Sequence, residues 1–191
     1  MRNVSELVGV VVDGNPVRYQ EINNEQFYYI TVKFRNTKIR VLYSTYSCNE
    51  RFAEGTKIEV VGTLMSFTRR KTFPDFFFYA NRIERADPDA MSTNSIEFEC
   101  KISKVKPLAV GVQSADTLPL IGNNRSPLNK TSTIYLYIRD GDARRLQNKE
   151  AGYIIRGKGY MKNYKDVIEI LVTDVENMDN LCPNKQKEEN I

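Results

Sequence analysis

The stretch "SFTRRKTFPDFFFYA" places three consecutive cations between two aromatic rings. Arg69, Arg70 and Lys71 lie between Phe67 and Phe73, and a run of four aromatic residues follows at once. Cations of this kind neutralise phosphate groups, and aromatic rings stack on unpaired bases. The stretch therefore carries the residue types that contact both components of a flexible single-stranded nucleic acid.

Two further basic clusters occur elsewhere in the chain. The formal net charge is only +4, so the local clustering of cations is more informative than their total. One cluster has four cations within eight residues and no acid among them, and the other surrounds two tyrosines. The clusters are Lys33, Arg35, Lys38 and Arg40, and Arg156, Lys158, Lys162 and Lys165.

The composition argues against catalysis and against a metal site. The chain has no histidine, so histidine bases and histidine metal ligands are excluded. Cys48, Cys100 and Cys182 are far apart and form no CxxC pair, which favours neither a zinc site nor a disulfide framework. We therefore expect no enzyme activity, no metal and no cofactor.

The length and the apolar pattern limit the organisation of the chain. Its 191 residues allow one large domain or two of roughly 90 residues each. No apolar run approaches the ~20 residues of a membrane helix, and the start of the chain lacks the pattern of a signal peptide. We expect a cytoplasmic protein.

The segment "RADPDAMSTNS" divides the sequence into two halves that show the same order of signals. Proline, aspartate and small polar residues favour a linker there. We therefore predict a first domain over 1–86, a linker over 87–94, a second domain over 95–177 and a polar tail over 178–191. Such an internal repeat indicates the architecture before any single residue does.

In the first half we predict five strands and a short helix. The strand "ELVGVVVDG" is followed by a polar connection, "NPVRYQEINNE". The segment "QFYYITVKFRNTKIRVLY" predicts two strands around a turn at Arg35–Asn36–Thr37. A short helix in "TYSCNERFAEG", closed by Gly55, precedes "TKIEVVGTLMSF", whose Gly62 indicates a bend. The last strand is "DFFFYANRIE".

The second half repeats this plan with one irregular region. The strands are predicted in "SIEFECKISKVKP", "TSTIYLYIRD", "YIIRGKGYM" and "VIEILVTDVE", and a helix in "GDARRLQNKEAG". Gly157 takes the position of Gly62. Residues 108–130 show no clean alternation, so the second strand there is expected to be short, distorted or displaced by an insertion.

Five strands with a short helix between the third and fourth are typical of the OB-fold, a small Greek-key barrel. We therefore predict an all-β protein with two tandem OB-folds. The ligand face of such a barrel is formed by strands 2 and 3 with the 1–2 and 4–5 loops. This places the cations of the opening stretch in the 4–5 loop of the first barrel.

The segments "VSELVGVVVDGNPVRY", "FYYITVKF", "IRVLY" and "FAEGTKIEVVGTLMSF" resemble bacterial single-stranded DNA-binding proteins. The repeat resembles the two-barrel versions of clostridial and related bacteria, and the primosomal protein PriB has a similar barrel. The resemblance implies binding of single-stranded DNA in replication, recombination or repair, and a homodimer with four barrels. The chain has no tryptophan, so tyrosine and phenylalanine would supply the stacking surfaces.

Strand alternation predicts which side chains of the first barrel face solvent. Tyr28, Ile30, Val32, Ile39 and Val41 are expected inside, together with Phe76 and Phe78. Tyr29 and Phe67 are the first candidates for stacking on bases, and Phe27 and Phe73 are the next. The candidate phosphate ligands are Lys33, Lys38, Arg40, Arg69, Arg70 and Lys71.

In the second barrel the same alternation places Ile134, Leu136 and Ile138 inside. The candidate nucleic-acid-binding residues are those of the opposite face and of the following strand and loop. They are Tyr135, Tyr137, Arg139, Lys158, Tyr160, Lys162, Tyr164 and Lys165.

Other functions remain open from the sequence. The barrels could form a protein–protein adaptor of a replication or conjugation complex, with residues 108–130 as a contact surface. A nuclease would need metal ligands, and Asp140 and Asp142 in "RDGDARR" are better explained as caps of the predicted helix. RNA is a further candidate ligand, because the barrel face does not itself detect the 2′-hydroxyl group.

Overall fold

The computed structural model describes residues 3–22, 25–67, 75–106, 109–113, 133–138, 153–164 and 167–177. Every regular element in these ranges is a β-strand. The ten strands are β1 (Asn3–Ile22), β2 (Glu25–Phe34), β3 (Thr37–Ser44), β4 (Lys57–Phe67), β5 (Asp75–Arg85), β6 (Asn94–Lys106), β7 (Ala109–Gln113), β8 (Thr133–Tyr137), β9 (Ile154–Tyr164) and β10 (Val167–Asn177).

The first five strands form a closed barrel in the order β1-β2-β3-β5-β4, with β4 pairing back to β1. All neighbours are antiparallel except β3 and β5. The alternation predicted for the interior is confirmed, since Ile30, Val32, Ile39 and Val41 are all buried. Phe78 is buried with them. The all-β prediction is therefore confirmed, and this closed five-stranded barrel is consistent with an OB-fold.

Strand β1 is longer than predicted. The segment "NPVRYQEINNE" was expected to be a polar connection, but residues up to Ile22 pair with β2, where Ile22 lies opposite Glu25. The pairing accommodates Pro16 through a register shift between Asp13 and Val17. A bulge leaves its extra residues outside the ladder, so a residue without a backbone N–H can be placed there.

The helix predicted over 45–55 is wrong. These residues form turns and irregular backbone between β3 and β4. The segment begins with poor helix formers, and the buried ring of Phe52 anchors it to the core. Gly55 has a φ of +86°, and its N–H donates to the Val11 carbonyl at 2.8 Å. The corresponding helix predicted in the second half lies outside the described residues.

The pairings recur among the last five strands. Strand β6 pairs with β7 and β9, and β8 pairs with β7 and, in parallel, with β10, while β9 and β10 are antiparallel. Strand β7 is only five residues long and lies within the region where no clean alternation was found. The buried side chains of both halves form one contiguous cluster.

An antiparallel pairing between β1 and β6 joins the two halves. Ser5 lies opposite Ile96 at its centre. On the other side of its strand Ser5 lies opposite Gly62 of β4, and Ile96 likewise lies opposite Gly159 of β9. Ser5 and Ile96 therefore occupy equivalent positions in the two halves. Equivalent residues that pair with each other define a local two-fold axis, the arrangement of a symmetric dimer contact within one chain.

This register corrects one prediction. The counterpart of Gly62 is Gly159 and not Gly157, because only Gly62 and Gly159 lie at a register shift against the following strand. A Cβ atom would lie 2.0 Å from the Tyr79 carbonyl oxygen at Gly62 and 2.4 Å from that of Leu171 at Gly159. The sequence "GKG" contains two glycines, and only the strand pairing shows which of them corresponds to Gly62.

A buried aromatic group closes one end of the first barrel. The Tyr43 ring lies 5.7 Å from Tyr28 and 6.3 Å from Phe52. The Tyr28 hydroxyl donates to Gln26 Oε1, but the buried Tyr43 hydroxyl has no hydrogen-bond partner in the described part of the chain. Burial raises the pKa of Tyr43 from 10.0 to about 12.

We predict that Tyr43→Phe is neutral or stabilising at pH 7, by up to about 1 kcal/mol, because it removes a buried hydroxyl without a partner. Tyr28→Phe should instead cost about 0.5–1.5 kcal/mol, since it removes a hydrogen bond. Urea unfolding of the three proteins measures both differences. A loss of stability in Tyr43→Phe as large as that in Tyr28→Phe would contradict this prediction.

The raised pKa of Tyr43 also predicts a dependence on alkaline pH. The folded state keeps this phenol neutral above pH 10, where the unfolded chain ionises it, so its contribution to stability is lost between pH 10 and about 12. Tyr43→Phe should therefore lose less stability over this range than the natural sequence. Thermal melting at pH 7 and pH 11 tests this difference.

Candidate nucleic-acid interface

The outer face of the β2–β3 ladder brings together four of the ten predicted ligands of the first barrel, which are Tyr29, Lys33, Lys38 and Arg40. Its positions alternate with the buried side chains of the interior, so they recur every two residues, about 6.8 Å apart along the strands. The face therefore forms a strip about 14 Å long between its first and third pairs. The three cross-strand pairs are Lys33–Lys38, Thr31–Arg40 and Tyr29–Leu42.

Two like charges face each other at one end of this strip. Lys33 and Lys38 are exposed and directly opposite. Like charges in this arrangement destabilise a sheet. On the adjoining strands Lys33 lies opposite Val10 of β1, and Arg40 lies opposite Phe77 of β5. An anion bound beside the two lysines would reduce this repulsion.

The hairpin turn and strand β1 border this charge. Arg35 is exposed in the β2–β3 turn with a φ of +48°, and it adds a fourth cation at the tip. Asp13 is exposed on β1 opposite Thr31, where it adds one carboxylate at the edge of the strip. The net charge of this group of side chains remains positive.

An aromatic cluster continues the strip away from the charged tip. Phe27, Leu42, Met65 and Phe77 are buried on the outer side of the barrel, and Tyr29 and Tyr79 pack against them half-buried. Phe27 was expected to be exposed, and this is wrong: it is 3% exposed because the cluster surrounds it. Tyr29 keeps a partly open ring, as its predicted role needs.

Tyr79 was missed by the sequence reasoning. It lies beside Leu42 in the parallel β3–β5 pairing, and so on the same face as Tyr29, with Leu42 between the two tyrosines. The signal was present in the "FFFYA" run, because assigning Phe78 to the interior places its two neighbours outside. Both Phe76 and Phe78 are buried in the main core, as predicted.

The predicted 4–5 loop residues Arg69, Arg70, Lys71 and Phe73 lie outside the described residues. Phe67 is the last residue of β4, where it pairs with Asp75 at the start of β5. The pairing places the ends of the 4–5 connection at one end of β4 and β5. The contribution of this loop remains a prediction.

Two cations of the basic cluster in the second half, the candidate ligand Lys158 and its neighbour Arg156, are paired with acids. Lys158 Nζ lies 2.9 Å from Glu97 Oε1, and this hydrogen bond raises the pKa of Lys158. Arg156 Nη2 donates to Glu99 Oε2 at 2.8 Å, which lowers the pKa of Glu99 and raises that of Arg156. The charge of Lys158 is therefore partly neutralised by Glu97 of the neighbouring strand.

The remaining candidates of the second half are placed by their strands. Lys162 is exposed opposite Glu169, while Tyr160 and Tyr137 are half-buried. Leu136 and Ile138 are buried, as predicted. Tyr135 lies opposite Gly111 in the β7–β8 ladder, and Tyr164 ends β9. Arg139 and Lys165 lie outside the described residues.

The described residues offer no other chemistry at this face. No group of three or more cysteine, aspartate or glutamate side chains in these ranges could hold a metal ion. Nor do they include a helix long and apolar enough to cross a membrane. A face with cations at one end and half-buried rings at the other can bind a polyanion that also carries flat, unpaired bases.

Comparison with known proteins gives a clear result only at the level of structure. No protein-family model matches the sequence, and no curated protein matches it. The wild-type single-stranded DNA-binding protein from Thermus aquaticus superposes with a TM-score of 0.66 at 13% identity, covering 92% of each chain. A deletion mutant of that protein gives a TM-score of 0.69 at 11% identity, covering 96% of this chain and 98% of the other.

This chain shares the fold of the Thermus single-stranded DNA-binding protein. The structural similarity covers nearly the whole of both chains, so it includes strands β1–β5 as well as strands β6–β10. The expected resemblance to bacterial single-stranded DNA-binding proteins is therefore confirmed at the level of the fold. The N-terminal domain of PriB from Thermoanaerobacter tencongensis also matches, over 44% of this chain, with 21% identity and a TM-score of 0.36.

We predict that Lys38→Glu stabilises the folded protein by about 0.2–1 kcal/mol, because it replaces a like-charge cross-strand pair with an opposite-charge pair. Lys38→Gln is the matched control, which removes the repulsion without adding an attraction. Urea denaturation of the natural protein and both variants measures the difference. If Lys38→Glu is less stable than the natural protein, the cross-strand repulsion between the two lysines is not what the geometry indicates.

Proposed function

We propose that this protein binds single-stranded DNA without strong sequence preference and without catalysis. It would do so as two tandem OB-folds, over 1–86 and 95–177, joined by a linker over 87–94. The observation that carries the proposal is the exposed Lys33–Lys38 pair, which shares one face with Arg40 and the half-buried ring of Tyr29.

The physical argument combines two effects on this strip. The cations neutralise backbone phosphates and release condensed counterions, which makes affinity fall with salt. The rings of Tyr29 and Tyr79 offer flat surfaces to bases, and each stacked base contributes about 1–3 kcal/mol regardless of its identity. A duplex hides its bases, so only a single strand uses both effects.

The outer cluster explains how tyrosines replace tryptophan here. The two tyrosines pack against buried Phe27, Leu42 and Phe77, and this packing limits the conformational freedom that a stacking surface would lose on binding. The cations of the 4–5 connection would extend the same path. This arrangement suits protection of single strands during replication, recombination or repair, in contact with other replication proteins.

We predict tight binding of labelled oligo-dT that weakens as salt rises, with much weaker binding to duplex DNA of equal length. Tyr29→Ala should weaken single-strand binding by roughly 5- to 150-fold, the loss of one stacked base. Fluorescence anisotropy at two salt concentrations measures both effects, and thermal melting confirms that the variant is folded.

Tyr46→Ala is the matched control for this variant. Tyr46 is 81% exposed, but it follows β3 and does not lie on the β2–β3 strip. An equal loss in both variants would mean that exposure and not position on the strip decides binding. If the natural protein binds neither oligo-dT nor oligo-RNA at low salt, the barrels are better explained as protein–protein adaptors. Tighter binding of oligo-RNA than of oligo-dT would instead make RNA the ligand.

We also propose that the protein is a homodimer with four barrels, as the resemblance implies. One chain has a mass of 22.1 kDa, so light scattering should give twice this mass. A single-chain mass across the micromolar range would contradict the dimer without affecting the binding proposal.

A further inference from the structure

The turn of the β2–β3 hairpin holds an arginine in a backbone conformation that arginine rarely adopts. Phe34 pairs with Thr37, so only Arg35 and Asn36 remain in the turn. Arg35 has a φ of +48°, and among the residues that the structure describes it is the only one other than a glycine with a positive φ. The Cβ atom makes this left-handed conformation unfavourable, so such turns favour glycine, asparagine or aspartate. The backbone of Arg35 therefore lowers the stability of the hairpin.

The side chain of Arg35 adds a third positive charge to the hairpin tip, which consists of the turn and the Lys33–Lys38 pair. All three cations are exposed, and the two lysines lie directly opposite each other. None of the three forms an ion pair with an acid in the described part of the chain. Asparagine or aspartate at position 35 would reduce both the backbone strain and the repulsion.

A second like-charge pair of the first barrel is neutralised by the protein itself. Glu59 of β4 lies directly opposite Glu84 of β5. Arg82 contacts both carboxylates, at 3.4 Å from Glu59 Oε1 and 3.6 Å from Glu84 Oε1. The fold thus supplies a counterion for two paired acids, whereas at the hairpin tip it adds a cation to two paired lysines. This difference favours an anion from outside the chain as the partner of the tip.

We propose that Lys33, Arg35 and Lys38 form a phosphate-binding site at the hairpin tip, and that Arg35 keeps its unfavourable backbone conformation for this contact. The inference rests on the proposed function and adds Arg35 to its nucleic-acid ligands, because the phosphate belongs to the bound single strand. A guanidinium group can donate two parallel hydrogen bonds to one phosphate, whereas a lysine acts as a point charge. Strained residues concentrate at ligand-binding sites of this kind.

The hairpin tip is well separated from the stacking surface on the same face. Tyr29 lies five residues before the end of β2 at Phe34, a distance of about 17 Å along the strand. Effects of substitutions more than about 10 Å apart usually add as free energies. Arg35→Asn combined with Tyr29→Ala should therefore weaken binding by the product of the two single fold-changes.

The main test replaces Arg35 by asparagine, which suits the left-handed conformation. Because the loss of one phosphate contact reduces the slope of log affinity against log salt by about 0.7 for a single strand, Arg35→Asn should lower the slope by this amount. Its melting temperature should rise by about 2–4 °C, since the turn loses both strain and repulsion. Titrations with oligo-dT between about 50 and 200 mM salt and thermal melting measure the two effects.

Two further variants distinguish a phosphate contact from a general loss of charge. Arg35→Lys keeps the charge at the tip, so it should retain the natural slope and melting temperature. Arg82→Gln removes a cation that is paired with Glu59 away from the hairpin, and should leave the slope unchanged. If Arg82→Gln and Arg35→Asn lower the slope equally, net charge decides the salt dependence and the proposal is overturned.

Failure of this proposal is distinguishable from failure of the proposed function. A natural protein that binds no oligo-dT at low salt refutes the function itself. A natural protein that binds oligo-dT with the same affinity and slope as Arg35→Asn refutes only the phosphate site at the tip. If Arg35→Asn lowers both the slope and the melting temperature, Arg35 contacts phosphate but its backbone conformation does not reduce stability.

Discussion

Backbone pairing along β1 is the constraint on which the rest of the structure depends. This strand pairs with β2 and β4 to close the first barrel and with β6 to join the second half. The shift between Val11 and Asp13 allows one strand to serve different partners along its length, because a bulge bends the strand and increases its twist. An unpaired β1 would expose a sheet edge, and the β1–β6 pairing covers it.

The same pairing makes the two halves comparable and therefore shows how they differ. A local two-fold axis relates their backbones, but the axis does not require the outward side chains to match. The buried positions are apolar in both halves and form one contiguous cluster.

The arrangement of charges on the β2–β3 face lowers the stability of the fold. Lys33 and Lys38 lie directly opposite each other across the hairpin, where like charges destabilise a sheet. The aromatic cluster beside them contributes in the opposite direction, because Phe27, Leu42 and Phe77 bury apolar surface on the outside of the barrel. On this outer face of the first barrel, apolar packing therefore stabilises the fold, whereas the repulsion between the lysines destabilises it.

Much of the fold was predictable from the sequence, because strand alternation has a period of two and the two halves repeat it. The strands, the Arg35–Asn36 turn and the buried Ile30, Val32 and Phe78 were predicted by local pattern alone. The helix over 45–55 was not, since burial of Phe52 overrides a weak local preference. Nor was the strand up to Ile22, because Pro16 and the polar residues around it favour a connection, whereas pairing with β2 keeps this segment extended.

The sequence by itself determined the residue types of the candidate site and the face on which Tyr29, Lys33, Lys38 and Arg40 lie. Only the tertiary structure decided which of the predicted residues are accessible or charge-paired, because burial and ion pairing depend on neighbouring strands. It buried Phe27 beneath its neighbours and placed Glu97 against Lys158. It also matched Gly159 to Gly62, since register is a property of the pairing between strands and not of either strand alone.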